Sequence, residues 1–187
     1  MRIFFPALAL AALALPNSAI AQTTYTGTRT AGANSATFSL TTYNTVTTLQ
    51  TLQFSEVASW SVTLAGNGAF TFNSFTPGSG FFLNGGSLTA NASGLFFNYN
   101  GDGLVDFYNT DIVTNEIYFC AINFCGAGQS GDVIIVNSLE QRAMPAGNQQ
   151  IGSATPEPTS WALMIGGFAV VGGAMRRRRR NAALAFA

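Results

Sequence analysis

The chain has 187 residues, of which 48% are hydrophobic and 9% are charged, and its formal net charge is zero. That balance hides an asymmetry, because Arg2 and a C-terminal run hold six of the eight arginines, whereas residues 22–157 hold two arginines against eight acids. An acidic body excludes the basic footprint of nucleic-acid binding. The absence of histidine removes the usual base of nucleophilic catalysis, so we predict neither a nucleic-acid partner nor an enzyme.

The first 21 residues have the pattern of a secretory signal peptide. Arg2 supplies a short positive region, an apolar stretch runs from Ile3 to Leu15, and Ala19-Ile20-Ala21 fits an A-x-A cleavage site. We therefore predict a signal helix over 1–21, cleaved between Ala21 and Gln22. The alternative is an uncleaved N-terminal anchor, although the apolar stretch is short for a membrane span.

The body alternates apolar and polar residues, with turn signals about every ten residues, which favours a mostly-β fold. We predict a single antiparallel β-sandwich or jelly-roll-like domain over residues 22–140. Its expected strands include an alternating stretch over 46–54, a hairpin of 57–65 with 69–76, and segments at 87–91, 95–99, 104–108, 116–120 and 132–139. Turns are expected at 77–80 and 84–86, and no stretch between 22 and 155 has a helical period.

Cys120 and Cys125 are the only cysteines. An even pair in an exported chain predicts a disulfide that closes a small loop. A metal site is the weaker alternative, because the spacing lacks a second pair and the chain has no histidine. A redox motif would need a different spacing.

Oxygen-bearing side chains recur at every second residue in Asn98, Asn100 and Asp102, followed by Asp106. That spacing resembles the start of an EF-hand or dockerin calcium loop, although the first ligand is Asn and Asn109 replaces the final acid. Calcium is the only cofactor suggested, with these four residues as its ligands. The alternative is a hairpin whose Asn-Gly-Asp-Gly turn uses residues that tolerate positive φ.

Other surfaces carry weaker signals. The acids between Asp102 and Glu116 could pair as in a secreted glycosidase, although acids spaced along strands more often solubilise a surface. Aromatic residues at alternating positions are expected in the core rather than on a carbohydrate platform. Threonine-rich strands such as 41–51 could present a flat array to ice or a polysaccharide, and ordinary solvent-facing strand positions explain the same letters.

The C-terminal region changes character. Residues 141–155 are rich in Gly, Pro, Asn, Gln and Ser, which predicts a flexible linker. The uncharged run from Trp161 to Met175 would span about 23 Å as a helix, against a hydrocarbon core of about 30 Å. We predict a marginal transmembrane helix over 159–175, a transient inner-membrane anchor, with a cytoplasmic tail over 181–187. Its basic stop over 176–180 consists of Arg176, Arg177, Arg178, Arg179 and Arg180.

The segment Pro156-Glu157-Pro158-Thr159-Ser160-Trp161-Ala162, with the apolar run and the arginines, resembles the PEP-CTERM sorting signal in its PEP-x-x-W-A form. The resemblance covers residues 156–180, and its motif residues are Pro156, Glu157, Pro158, Trp161 and Ala162. It implies export in a Gram-negative bacterium that makes exopolysaccharide. It also implies recognition by an exosortase, a membrane transpeptidase that cuts near Pro-Glu-Pro. The same tail occurs on some bacterial proteins described as ice-binding.

These expectations lead to one reading of function. The chain is exported through the inner membrane, its body reaches the periplasm, and an exosortase then delivers it to the cell surface or extracellular matrix. A structural or adhesive role is expected there, with exopolysaccharide as a candidate partner. The alternative is a calcium-dependent carbohydrate-binding or ice-binding module.

Overall fold

The computed structural model describes residues 22–111, 113–125, 129–155, 165–169, 171–173 and 175–176. Within these ranges the chain forms thirteen β-strands and one 3₁₀ turn at Phe54–Glu56. The strands are β1 Thr24–Ala31, β2 Asn34–Thr42, β3 Gln50–Thr51, β4 Val57–Gly66, β5 Gly68–Asn73, β6 Ser79–Gly85, β7 Leu88–Ala90, β8 Gly94–Asn98, β9 Gly103–Asn109, β10 Asn115–Cys120, β11 Gly131–Val136, β12 Leu139–Ala143 and β13 Asn148–Thr155.

The strands form two antiparallel sheets. One has eight strands in the order β3-β7-β8-β13-β1-β2-β4-β5, and the other has five in the order β12-β11-β10-β9-β6. The first described strand, β1, therefore lies in the middle of the larger sheet. The C-terminal strand β13 returns to lie beside it, between β1 and β8.

The inward faces of the two sheets share one core. The ring of Phe38 on β2 packs against Phe107 and Phe119 of the other sheet, with ring centroids 5.9 and 5.5 Å apart. Trp60 on β4 likewise lies 5.5 Å from Phe107. Because side chains alternate along a strand, the same period that buries these rings sends their neighbours outward. The structure thus confirms a mostly-β, sandwich-like fold with aromatic residues inside; the jelly-roll refinement stays a prediction.

The predicted hairpin is confirmed, since Ser61–Gly66 of β4 pairs with Gly68–Asn73 of β5 and Asn67 lies at the turn. Gly66 and Gly68 flank it with φ of +128° and +126°, values that glycine adopts without strain. The segments expected at 87–91, 95–99, 104–108 and 116–120 are also strands. The expected turns at 77–80 and 84–86 flank a strand that the sequence did not predict, β6.

Three local expectations are wrong. The strand expected over 132–139 is broken after Val136, because Asn137 and Ser138 turn with positive φ and begin the hairpin to β12. The stretch 46–54 contains only the two-residue β3 and the first residue of the 3₁₀ turn. The hairpin alternative at 98–103 also fails, because β8 and β9 lie in different sheets and this loop crosses between them.

The prediction of a flexible linker over 141–155 is wrong as well. β13 lies between β1 and β8, and Ile151 is only 3% exposed. Gly152, one of the residues that make this stretch resemble a linker, is needed for packing. A Cβ at Gly152 would lie 3.2 Å from the carbonyl oxygen of Thr26, so glycine permits the close approach of β13 to β1. The domain consequently extends to Thr155 rather than ending at residue 140.

The two predicted terminal helices fall largely outside the described residues. The signal helix over 1–21 lies wholly outside them. Of the segment 159–175, residues 165–169, 171–173 and 175 are described, and they are helical and exposed. Among the described residues, no helix has the length and apolar character needed to cross a membrane.

Candidate functional site: a hydroxyl-covered sheet face

The outer face of β1, β2 and β4 is almost entirely hydroxyl-bearing. Eleven of its twelve outward positions are serine or threonine, and the exception is Ala65. We call these eleven residues the hydroxyl face: Thr24, Thr26, Thr28, Thr30, Ser35, Thr37, Ser39, Thr41, Ser59, Ser61 and Thr63. No charged residue stands among the twelve positions.

Strand register aligns these residues in rows that run across the sheet. One row consists of Thr28, Thr37, Thr63 and Thr71, one threonine from each of four neighbouring strands, and all four are exposed. Neighbouring rows are two residues apart along a strand, roughly 7 Å, and neighbouring strands are about 4.8 Å apart. The face is therefore a two-dimensional lattice of hydroxyl groups.

Hydrogen bonds tie hydroxyls of adjacent strands together in pairs. Within the threonine row, Thr28 Oγ1 lies 3.0 Å from Thr37 Oγ1, and Thr63 Oγ1 lies 3.1 Å from Thr71 Oγ1. The pairs Thr24–Thr41 and Ser39–Ser61 in the next rows are each 2.9 Å apart. Such pairs fix side-chain rotamers, so the lattice is ordered before any partner arrives.

Sequence reasoning placed the threonine array over 41–51, and that location is wrong. β2 ends at Thr42, and Tyr43 to Leu49 belong to no strand. The signal that locates the face correctly is the T-x-T-x-T-x-T pattern of 24–30 next to the alternating serines and threonines of 35–41 and 59–63. Alternation within each segment predicts which residues point outward. It does not predict that β1, β2 and β4 are neighbours in one sheet.

A network of charged and polar side chains lies on the inward face of β1. The guanidinium of Arg29 contacts Asp132 on β11 at 2.6 Å, and the Tyr99 hydroxyl donates to the other carboxylate oxygen. Asp132 is 1% exposed and Tyr99 fully buried. Burial raises the pKa of Asp132, an effect that the bonds from Tyr99 and Arg29 oppose. Burial, followed by the Asp132 charge, raises the pKa of Tyr99.

Sequence reasoning missed this network. Arg29 shares its parity on β1 with Tyr25 and Ala31, both buried, and that inward position among threonines was the available signal. A cation at a core position needs a buried acid as its partner. The identity of that acid, 103 residues away, depends on the topology.

A second acidic site lies on the outer face of the five-stranded sheet. Asp106 on β9 stands opposite Tyr118 and Phe82, with Glu116 as a diagonal neighbour. Burial raises the pKa of Asp106 to about 7, and Glu116 adds to the rise. Burial also raises the pKa of Glu116, and Glu140 adds to that. Asp106 Oδ1 is buried without a hydrogen-bond partner among the described residues.

The predicted calcium ligands are only partly brought together. Asn98 Oδ1 accepts from the Asn100 amide at 3.1 Å, and Asn100 Oδ1 accepts from the Gly147 amide at 3.2 Å. These oxygens therefore stabilise the crossing loop itself. Asp102 is exposed at the loop's end, whereas Asp106 projects from the other sheet. No group of three or more acids, cysteines or histidines that could hold a metal occurs in the described ranges. Calcium binding stays a prediction.

The predicted disulfide is present. Cys120, the buried last residue of β10, is bonded to Cys125, with their Cα atoms 5.4 Å apart. The Cys125 amide donates to the carbonyl of Ala121 at 3.3 Å, so the bridge closes a tight turn at the strand end. The bridge is distant in sequence from the hydroxyl face and belongs to the other sheet.

The predicted sorting signal lies outside the described residues at Pro156, Glu157, Pro158, Trp161, Ala162 and Arg177–Arg180, as do Ala19 and Ala21 of the predicted cleavage site. Arg176 is helical and exposed, and Gln22 is exposed just before β1. Thr155, the last residue before the signal, is held in the sheet, where its hydroxyl donates to the Thr24 carbonyl at 3.0 Å.

The chain was compared with family models, with curated proteins and with solved structures, and none of them matches it. The surface chemistry of the described domain and the motifs of the sequence are therefore the basis for proposing a function.

Proposed function

We propose that this chain is an exported protein with a PEP-CTERM-type sorting signal, which an exosortase processes on the way to the cell surface or extracellular matrix. Its role there is structural or adhesive. The signal-peptide pattern of 1–21 and the motif of 156–180 support the route. The position of Thr155 adds support, because a cut at Pro156 or beyond would leave every strand of the domain in place.

The hydroxyl face is the observation that carries the adhesive role. Its eleven hydroxyls form an open, uncharged sheet surface, whereas an enzyme concentrates its chemistry in a concave site. Repeated hydroxyls can act as donors and acceptors toward many copies of one partner group. A matrix polymer or a repetitive cell-surface layer offers such repeated groups.

Intact-mass measurement and fractionation of the native protein test the route. We expect the native form to begin at Gln22, to end near residues 156–158, and to occur outside the inner membrane. The variant Pro156→Ala/Pro158→Ala should remain uncut at its C-terminus in the inner membrane, and Pro145→Ala, outside the signal, should be processed normally. A full-length chain that stays in the inner membrane would contradict the proposal.

The alternative function, a calcium-dependent carbohydrate-binding or ice-binding module, has one structural observation in its favour. The four exposed threonines of one row form a regular array that ordered water could also match. Inhibition of ice recrystallisation tests the ice-binding form. A calcium-linked rise in melting temperature tests the calcium-dependent form.

A further inference from the structure

We infer that the hydroxyl face binds neutral polysaccharide, with the polymer's hydroxyl groups bonded to the rows of serine and threonine. This inference rests on the proposed adhesive role and names its partner. The observation behind it is the lattice of hydroxyls on β1, β2 and β4, extended on β5 by Thr71.

The hydrogen-bonding capacity of the face matches a polyol. In a pair such as Thr28–Thr37, one hydroxyl donates to the other, so one proton and several lone pairs remain free toward solvent. A sugar hydroxyl likewise donates one bond and accepts others. Threonine also carries a methyl group, which can provide apolar contact for the C–H faces of sugar rings.

The charge distribution selects a neutral polymer over an anionic one. Residues 22–155 contain two arginines and seven acids. Arg29 is bound to Asp132, and Arg142 contacts Glu140 on the other sheet. The face thus offers no cation to a carboxylate or sulfate polymer, and the acidic domain around it would repel one.

The face is also preorganised for binding. Three of its inward neighbours on the same strands, Tyr25, Phe38 and Val62, are at most 1% exposed and hold the backbone against the core. Serine and threonine lose little rotamer freedom on binding, in contrast to lysine or glutamine.

Binding of the purified native protein to three neutral glucans (cellulose, dextran and a soluble β-glucan), with alginate as the anionic comparison, tests the inference. We expect binding to at least one glucan and none to alginate. The variant Thr37→Glu/Thr63→Glu puts two charges in the centre of the face and should weaken binding roughly tenfold or more. The conservative variant Thr37→Ser/Thr63→Ser should keep most of it.

The matched control is Thr48→Glu/Thr110→Glu, which makes the same charge change at two exposed threonines outside the face. It should bind within roughly twofold of the wild type. Far-ultraviolet circular dichroism and melting temperature check that each variant is folded. A misfolded glutamate variant is replaced by Thr28→Asn/Thr37→Asn, which should also weaken binding.

Three results would overturn the inference. The first is that the protein binds none of the three glucans. The second is that the face variant and the matched control lose glucan binding equally. The third is that the face inhibits ice recrystallisation but does not bind glucan. Each is distinct from failure of the proposed function, which the fractionation experiment detects in the cell. A protein that reaches the surface and binds no glucan would refute only the partner named here.

Discussion

At the scale of single residues, Arg29 on β1 and Asp132 on β11 form a buried ion pair between the sheets. Asp132 is 1% exposed and the Arg29 side chain 20%. Removal of one member leaves the other as an uncompensated, largely buried charge. We expect Asp132→Ala to lower the free energy of unfolding by about 3–5 kcal/mol, measured by urea denaturation.

The exposed pair of Arg142 and Glu140 supplies the control for that measurement. Its members have side-chain exposures of 36% and 43%, so water screens their attraction. We expect Glu140→Ala to change stability by about 1 kcal/mol or less. Equal effects of the two substitutions would contradict a special role for the buried pair.

Asp106 should make the domain less stable as the pH rises. Its pKa is about 7 in the fold, against 3.8 as the ordinary value. Below pH 3.8 the carboxyl is protonated in both the folded and the unfolded state, so it does not change the stability. Between pH 3.8 and pH 7 it ionises only in the unfolded state, and the free energy of unfolding therefore falls as the pH rises. Above pH 7 it is ionised in both states and the free energy falls no further. Glu116 and Asp132, whose pKa values are also raised, act in the same direction.

The substitution Asp106→Asn isolates that effect. Relative to the wild type, we expect the variant to gain about 2–4 kcal/mol in free energy of unfolding between pH 4 and pH 8, measured by urea unfolding across this range. The control is Asp102→Asn, which changes an exposed acid immediately before β9 and should show no such gain. A constant difference between wild type and Asp106→Asn at all pH values would refute the prediction.

At the scale of elements, the close approach of β13 to its sheet neighbour β1 depends on Gly27. A Cβ at this position would lie 2.0 Å from the Ile151 carbonyl oxygen and 2.7 Å from the Phe38 ring. The β1–β13 register ends at the preceding residue, where Thr26 pairs with Ser153. We expect Gly27→Ala to cost about 1–3 kcal/mol through overpacking and to increase amide exchange in β13. Gly86→Ala, which has nothing within 4 Å, is the control and should be nearly neutral.

At the scale of the whole molecule, the sequence predicted what depends on local period and not what depends on strand order. Alternation and turn residues identified the β4–β5 hairpin and most central strands, because parity and glycine turns are local properties. The stretch 98–103 fits a hairpin turn on local sequence alone, because nothing local indicates that β8 and β9 lie in different sheets. The alternating Thr/Ser pattern of the hydroxyl face is likewise visible in the sequence. The sequence does not show that β1, β2 and β4 lie side by side and form one face.

The prediction of a linker over 141–155 is wrong for the same reason, because local composition does not indicate which strands are neighbours. Truncation of the chain tests where the domain ends. A linker and a central strand with close backbone neighbours can share a glycine-rich composition, so composition placed the end of the domain at residue 140. In the fold, β13 joins β1 to β8 and buries Ile151. Without β13, the eight-stranded sheet would separate into two parts with long unpaired edges, which promote aggregation.

Two truncations of a chain that starts at Gln22 distinguish these boundaries. A chain that ends at Thr155 keeps all thirteen described strands, and we expect a cooperative thermal unfolding transition and resistance to proteolysis. A chain that ends at Glu140 lacks β13 and the end of β12, and we expect it to aggregate or to be digested rapidly. If the shorter chain unfolded as cooperatively as the longer one, β13 would be dispensable. Under the processing proposed above, a cut anywhere before Asn148 would then also release a folded domain, whereas a chain that keeps every described strand must be cut after Thr155.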